Sequence, residues 1–289
     1  MKSSNIKAAC MIVLAMFLLT LNDSAAKLAS EHTSVSQLLF VRGCIAIALF
    51  SVYLTVIKQP IFTKDVLNKH NLIRGLCEVG ATSCFVYTLS KAPIALASTL
   101  LWISPFFMTL FAAMFLGEKV KALRWLAVIV GFSGMLFVTQ PLGKAFQPVL
   151  WLTVGAAVFL AIRDLTTAKM PAQIHTAHVT FTATILVTLF SAVIAIPNWQ
   201  PLGMTEIGLL TLSAILINAS FLVHISAIRI GELSFVAPFT FSNIVFAVIM
   251  GYLVWGDVPN LMMVFGVCLI VAACTYLLKS NEAPSNKTN

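Results

Sequence analysis

Charged side chains stand well inside long apolar runs at Asp23, Arg42, Glu78, Arg163 and Asp164, with His224 in a run of its own. An ionised group near the centre of a membrane helix costs about 2.5–3.5 kcal/mol, so each is paired, close to the interface, or at work. The chemistry open to such a set is proton exchange, or the making and breaking of ion pairs that gate a passage. Arg163 and Asp164 are adjacent and point about 100° apart on a helix, which argues against their neutralising each other. At least one then needs a partner on another helix, and Glu78 is available to Arg163.

A second set is polar or aromatic. Trp102, Ser104, Pro105, Asn218 and Asn243 fall near the middle of their runs, with Pro238 a little before Asn243. Asn within a span usually ties helices together, at roughly 0.6 kcal/mol, and less often holds a solute. Proline frees a backbone carbonyl, which is tolerated where the chain is buried or lines a cavity. Trp102, Phe106, Tyr87 and Trp151 could stack on a flat aromatic molecule or serve as packing. The candidates for solute binding are therefore Tyr87, Trp102, Phe106, Asn218 and Asn243. Those for gating or proton coupling are Asp23, Arg42, Glu78, Arg163 and Asp164. The rival readings are structural ion pairs, snorkelling and ordinary packing.

Other chemistry finds little support. His32, His70, His175 and His178 fall in or near loops and form no ligand cluster, so neither a metal nor a cofactor is expected. Cys10, Cys44, Cys77, Cys84, Cys268 and Cys274 lie in apolar stretches without CxxC spacing and read as small buried hydrophobes. Cys77, Glu78 and His224 are the only hint of a nucleophile–base set, and the chain is not expected to be an enzyme. It contains no Walker A sequence, so any ATP would be hydrolysed by another protein.

What positions these residues is a membrane. Hydrophobic residues make up 60% of the 289, charged ones 10%, and the mean hydropathy is +0.97. Soluble domains carry about 25% charged residues. The net charge of +8 is scattered between apolar runs rather than gathered on a face, so nucleic acid is not an expected partner. Ten runs have helical length: 7–27, 36–57, 72–89, 94–116, 122–139, 149–168, 177–196, 206–227, 233–255 and 260–278. About 20 residues at 1.5 Å each cross the hydrocarbon. A membrane barrel would alternate polar and apolar residues instead. The first run, with Ser24-Ala25-Ala26 after it, could pass for a signal peptide, but the spans that follow make it a first transmembrane helix. The connections are short, such as 140–143 and 197–201, and the polar segment 280–289 reads as a disordered tail.

With a cytoplasmic N-terminus, the inner segments hold Lys2, Lys7, Lys58, Lys64, Lys69, Arg74, Lys119, Lys121, Arg124, Lys169, Arg229, Lys279 and Lys287. The outer ones hold Lys27, Lys91 and Lys144. That asymmetry places both termini in the cytoplasm. Asp23 and Arg42 then fall in the outer third of their helices, at a depth where they could pair. Glu78, Arg163, Asp164 and His224 fall toward the cytoplasm.

The halves resemble each other at a shift of about 139 residues. Leu116-Gly117-Glu118 ends the fourth run and Trp255-Gly256-Asp257 the ninth, with Ala127 and Gly266 equivalent in the runs that follow. Asn22-Asp23 answers to Arg163-Asp164. Five helices per copy means that the second enters upside down, an inverted repeat of residues 1–139 and 140–279. The basic turn 117–121 and its uncharged-to-acidic counterpart 256–260 fit opposite sides.

In these features the chain resembles the EamA-type permeases of the drug/metabolite transporter superfamily. The turn at Leu116–Glu118, its repeat at Gly256-Asp257, the segment 87–97, Arg42 and the stretch Asp23 to Lys27 carry the resemblance. It implies an all-α carrier of a small organic solute in the bacterial inner membrane, working by alternating access. The Asn-Asp and Arg-Asp pairs look most like riboflavin importers, with S-adenosylmethionine carriers beside them. Riboflavin uptake is the expected function, and efflux of amino acids or related metabolites is the runner-up. A channel would more readily show a filter loop or a parallel repeat. The partners expected are the solute and the bilayer; the oligomeric state is not readable.

Overall fold

The computed structural model describes residues 2–30, 34–61, 63, 66, 68–89, 91–92, 94–140, 148–195 and 199–282. These form α1 (Lys2–Ala29), α2 (Val35–Val56), α3 (Lys69–Leu89), α4 (Ile94–Leu101), α5 (Ser104–Phe115) and α6 (Ala122–Thr139). There follow α7 (Leu150–Ala168), α8 (Thr176–Ala195), α9 (Met204–Ile230), α10 (Leu233–Val236), a 3-10 turn (Ala237–Phe241), α11 (Ser242–Trp255) and α12 (Leu261–Glu282). Among the described residues, ten stretches are long and apolar enough to cross a membrane, α4–α5 giving the fourth and α10–α11 the ninth.

Most boundaries fall within a few residues of expectation, α1 beginning at Lys2 rather than at 7. The fourth and ninth spans are broken rather than continuous, at Trp102–Ile103 and at Ala237–Phe241. Pro105 stands just after the first break and Pro238 within the second; neither has an N–H to donate to the preceding turn, and tighter 3-10 bonding takes over. Helix α12 continues to Glu282, so residues 280–282 of the expected tail are helical. The rest of the tail, the loop residues 141–147 and 196–198, and His32 and Lys64 lie outside the described residues. The cysteines also differ: Cys77 is buried, but Cys10, Cys44 and Cys268 lie on the exposed surface of their spans. A thiol is apolar enough to face hydrocarbon.

Helix α1 packs on α9 and α3 on α7, α2 on α8, and α6 on α12. Helix α1 also lies against α10–α11, as α7 does against α4–α5. Exchanging each span for its counterpart five spans on leaves this set of pairings unchanged. The turns agree as well. Gly117 and Gly256 both adopt left-handed backbone, φ +66° and +72°. After each, the next amide closes on a carbonyl six residues back, Glu118 on Ala112 at 3.3 Å and Asp257 on Gly251 at 3.1 Å. This is the helix-ending turn for which glycine is the unstrained residue.

Contacts between helix ends sort them onto two sides. Asn5 accepts the Glu232 N–H at 3.0 Å, His178 meets the Pro60 carbonyl at 2.9 Å, and Arg229 donates to the Ile174 carbonyl at 2.7 Å. At the opposite end Gln37 donates to the Gln200 carbonyl at 2.6 Å, and Gln140 to Asn260 at 2.9 Å. The first end gathers Lys7, Lys58, Lys69, Lys119, Lys121, Arg124, Lys169, Arg229 and Lys279; Lys27 and Lys91 lie at the other. We call these the basic end and the far end.

Between α6 and α12 the backbones approach closely. A Cβ on Gly134 would stand 2.7 Å from the Gly266 carbonyl oxygen, and one on Gly266 would stand 2.4 Å from that of Gly134. Lipid offers no hydrophobic drive for helix pairing, so such backbone proximity is what holds the pair. Gly134→Ala is expected to cost about 1–3 kcal/mol by overpacking. A lowered midpoint of thermal inactivation in detergent checks it; an unchanged midpoint would show that the crossing has room to spare.

Candidate functional site

Toward the basic end, three spans converge on one ionic network. Arg74 and Glu78 lie one turn apart on α3, Arg163 and Asp164 follow each other on α7, and His224 faces them from α9. Arg163 donates Nη1 to both Glu78 oxygens at 3.1 and 3.2 Å, as expected. It also donates Nε and Nη2 to the two Asp164 oxygens at 2.8 and 3.1 Å. The expectation that these neighbours cannot neutralise each other is thus corrected. The helical angle describes where side chains leave the backbone, whereas the long guanidinium stem folds back along the helix and presents its fork. His224 Nε2 lies 3.4 Å from both Asp164 oxygens.

Arg74, placed by sequence with the inner segments' orienting charges, is 1% exposed and donates to Thr167 at 3.2 Å. Its charge stands 3.8 Å from Glu78. The signal in the sequence was its i, i+4 spacing from Glu78. Two guanidiniums meet two carboxylates, so the network is balanced when His224 is neutral. Arg74 Nη1 and His224 Nδ1 are buried without a hydrogen-bond partner among the described residues.

Toward the far end, Arg42 and Asp23 do not meet directly. Arg42 donates to Asn22 Oδ1 at 3.2 Å, Ser213 donates to the same oxygen at 2.6 Å, and the Asn22 amide donates to Asp23 at 2.9 Å. Asn22 is itself buried. Asn5, Ala9, Ile12, Met16, Thr20, Asp23 and Lys27 form one stripe of α1 by helical spacing. The first five are buried and the last two exposed. The stripe is therefore sealed toward the basic end and open toward the far end. The repeat-equivalent acids show the same contrast, Asp164 being 2% exposed and Asp23 accessible.

The seal continues at the start of the ninth span. Glu118, in the turn after α5, accepts the Leu233 and Ser234 amides at 2.8 and 3.0 Å and also the Ser234 hydroxyl. Arg124 donates to Ser234 Oγ at 2.6 Å and pairs with Glu232. The first amides of a helix have no partner of their own, and a carboxylate there meets the positive end of its dipole. Residues 233–244 are all buried behind this latch. In the sequence Glu118 marks the repeat and the family turn; its hydrogen-bond partners lie more than 100 residues away.

The binding candidates are dispersed. Asn218 donates to the Ala46 carbonyl on α2 at 3.1 Å, and Asn243 donates to Thr20 on α1 at 3.0 Å. Both tie helices together. Trp102 packs between two apolar clusters at the break in the fourth span. Phe106 makes an edge contact with Trp125, ring centres 5.4 Å apart. Tyr87 lies on the far side of α3 from Glu78, in an apolar groove with Cys84, Leu152 and Phe190.

A helical bundle with paired halves and buried charge layers is one plan among several, and comparison with known sequences decides between them. The sequence matches the model of the EamA-like transporter family twice, over residues 6–140 and 147–279. The chain belongs to the EamA-like transporter family. Relatives in that family include the pseudopaline exporter CntI of Pseudomonas aeruginosa, 30% identical over 93% of this chain and 95% of its own. A riboflavin transporter of Vibrio cholerae is 28% identical over 86% and 84%. An S-adenosylmethionine uptake transporter of Rickettsia prowazekii is 23% identical over 94% and 92%. A solved crystal structure superposes with a TM-score of 0.80 at 17% identity, covering 96% of this chain and 99% of that one, and shares the fold. This EamA-like chain is a multi-pass membrane transporter.

Proposed function

We propose that the protein is a secondary carrier that moves a small organic solute across the bacterial inner membrane by alternating access. The observation that carries this is the opposite exposure of equivalent acids, Asp164 sealed and Asp23 open, in two halves with interchangeable helix pairings. Halves related by an inverted repeat, 1–139 and 140–279, exchange these roles when they rock, and the access switches side. The excess of Lys and Arg at the basic end supports a cytoplasmic placement for that end and for both termini. Asp23 and Arg42 then serve the outer gate, and Glu78, Arg163 and Asp164 the inner one. Trp102, at the break in the fourth span, is the best placed of the aromatic candidates to meet solute.

Riboflavin is one substrate reading. A strain unable to make riboflavin and lacking its own importer tests it; growth on low external riboflavin with saturable uptake would establish it. The runner-up, amino acids or related metabolites, is favoured by the charges that line the open stretch. The carrier itself is tested in proteoliposomes loaded with a bacterial small-molecule extract. A subset of solutes is expected to leave faster than from empty vesicles, with saturation. Flux that rises linearly with concentration would mark a channel, and chemical conversion of the contents an enzyme.

A further inference from the structure

We propose that Asp23 and Arg42 form a two-pronged seat for an α-amino-acid head group, the ammonium on Asp23 and the carboxylate on Arg42. The proposal rests on the carrier reading and narrows its substrate class. Asp23 stands on the open part of the α1 stripe, and Arg42 reaches the neighbouring Asn22 from α2. Arg163 and Asp164 meet directly at 2.8 and 3.1 Å, whereas Asp23 and Arg42 each hydrogen-bond Asn22 and make no direct ion pair. Here Asn22 stands between them, its oxygen held by Ser213 at 2.6 Å as well as by Arg42.

The result is unused capacity of both signs. Among the described residues Arg42 donates one hydrogen bond, of the five N–H groups a guanidinium carries, and Asp23 accepts one. Asp164, its repeat equivalent, is saturated by Arg163 and His224. A free α-amino acid carries its carboxylate and ammonium on one carbon, so it completes both prongs at once with charge-assisted contacts. An uncharged flat solute would leave both charges desolvated and unpaired when the halves close over it.

The test uses proteoliposomes of the full chain loaded with the bacterial extract, supplemented with riboflavin. One portion of the extract is methyl-esterified and another N-acetylated, and released solutes are read by mass spectrometry. Free α-amino-acid compounds are expected to dominate the release, with a loss of about tenfold or more on blocking either group, the worth of one charged contact. Asp23→Asn is expected to shift the ratio toward N-acetylated solutes, and Arg42→Gln toward methyl esters; misfolding would lower all release without shifting ratios. Release of solutes lacking the head group, riboflavin among them, overturns the seat and leaves the carrier standing. Release of nothing from vesicles with folded, inserted protein overturns both.

Discussion

Arg163→Ala is expected to abolish transport and to cost about 3–5 kcal/mol of stability, the penalty for stranding buried charges. Arg163 supplies four of the hydrogen bonds that hold Glu78 and Asp164. Without it, among the described residues, Asp164 keeps only His224, and Glu78 keeps Arg74 at 3.8 Å. Thermal unfolding in detergent reads the loss. Arg163→Lys keeps the charge but not the fork, so it should recover part of the stability and little of the transport. Adding Glu78→Gln to Arg163→Ala should restore some stability by removing one stranded carboxylate. Unchanged unfolding in Arg163→Ala would show that the network is not what seals the basic end.

Glu118→Ala is expected to unlatch that end. The substitution removes the acceptor of two helix-start amides and of the Ser234 hydroxyl. Hydrogen bonds to a charged group contribute about 1.5–3 kcal/mol, which corresponds to a shift of roughly ten- to a hundredfold between closed and open populations. The measurement is maleimide labelling of a single cysteine at Ala237, which is fully buried, in a protein with its six native cysteines replaced. Labelling from the basic side should accelerate by that factor in the Glu118→Ala background, while Glu118→Gln, which keeps an acceptor, should fall between. An unaltered rate would assign the closure to apolar packing around residues 233–244 instead.

The spans were legible because a bilayer tolerates few charges and demands a set length, so apolar runs of about 20 residues admit one reading. The Glu78–Arg163 pair was legible for the same reason: partners are scarce in such a sequence. The Arg163–Asp164 contact was not, since a helical wheel records the direction in which side chains depart and takes no account of how far they reach. Arg74, close to Lys69, reads in the sequence as one of the orienting charges. Asn22 was noted for its place in the repeat, yet its role between Asp23 and Arg42 depends on three helices meeting. The latch was hidden for a simpler reason: Glu118 and Ser234 are 116 residues apart, and neither neighbourhood names the other.

The even count of charges in the network of Arg74, Glu78, Arg163 and Asp164 has an electrical consequence. A unit charge moved across the membrane potential exchanges about 2.3 kcal/mol per 100 mV with the field. Two guanidiniums and two carboxylates travelling together exchange none, and a zwitterion adds none. Rocking that carries this network across the field as a unit is then silent to voltage.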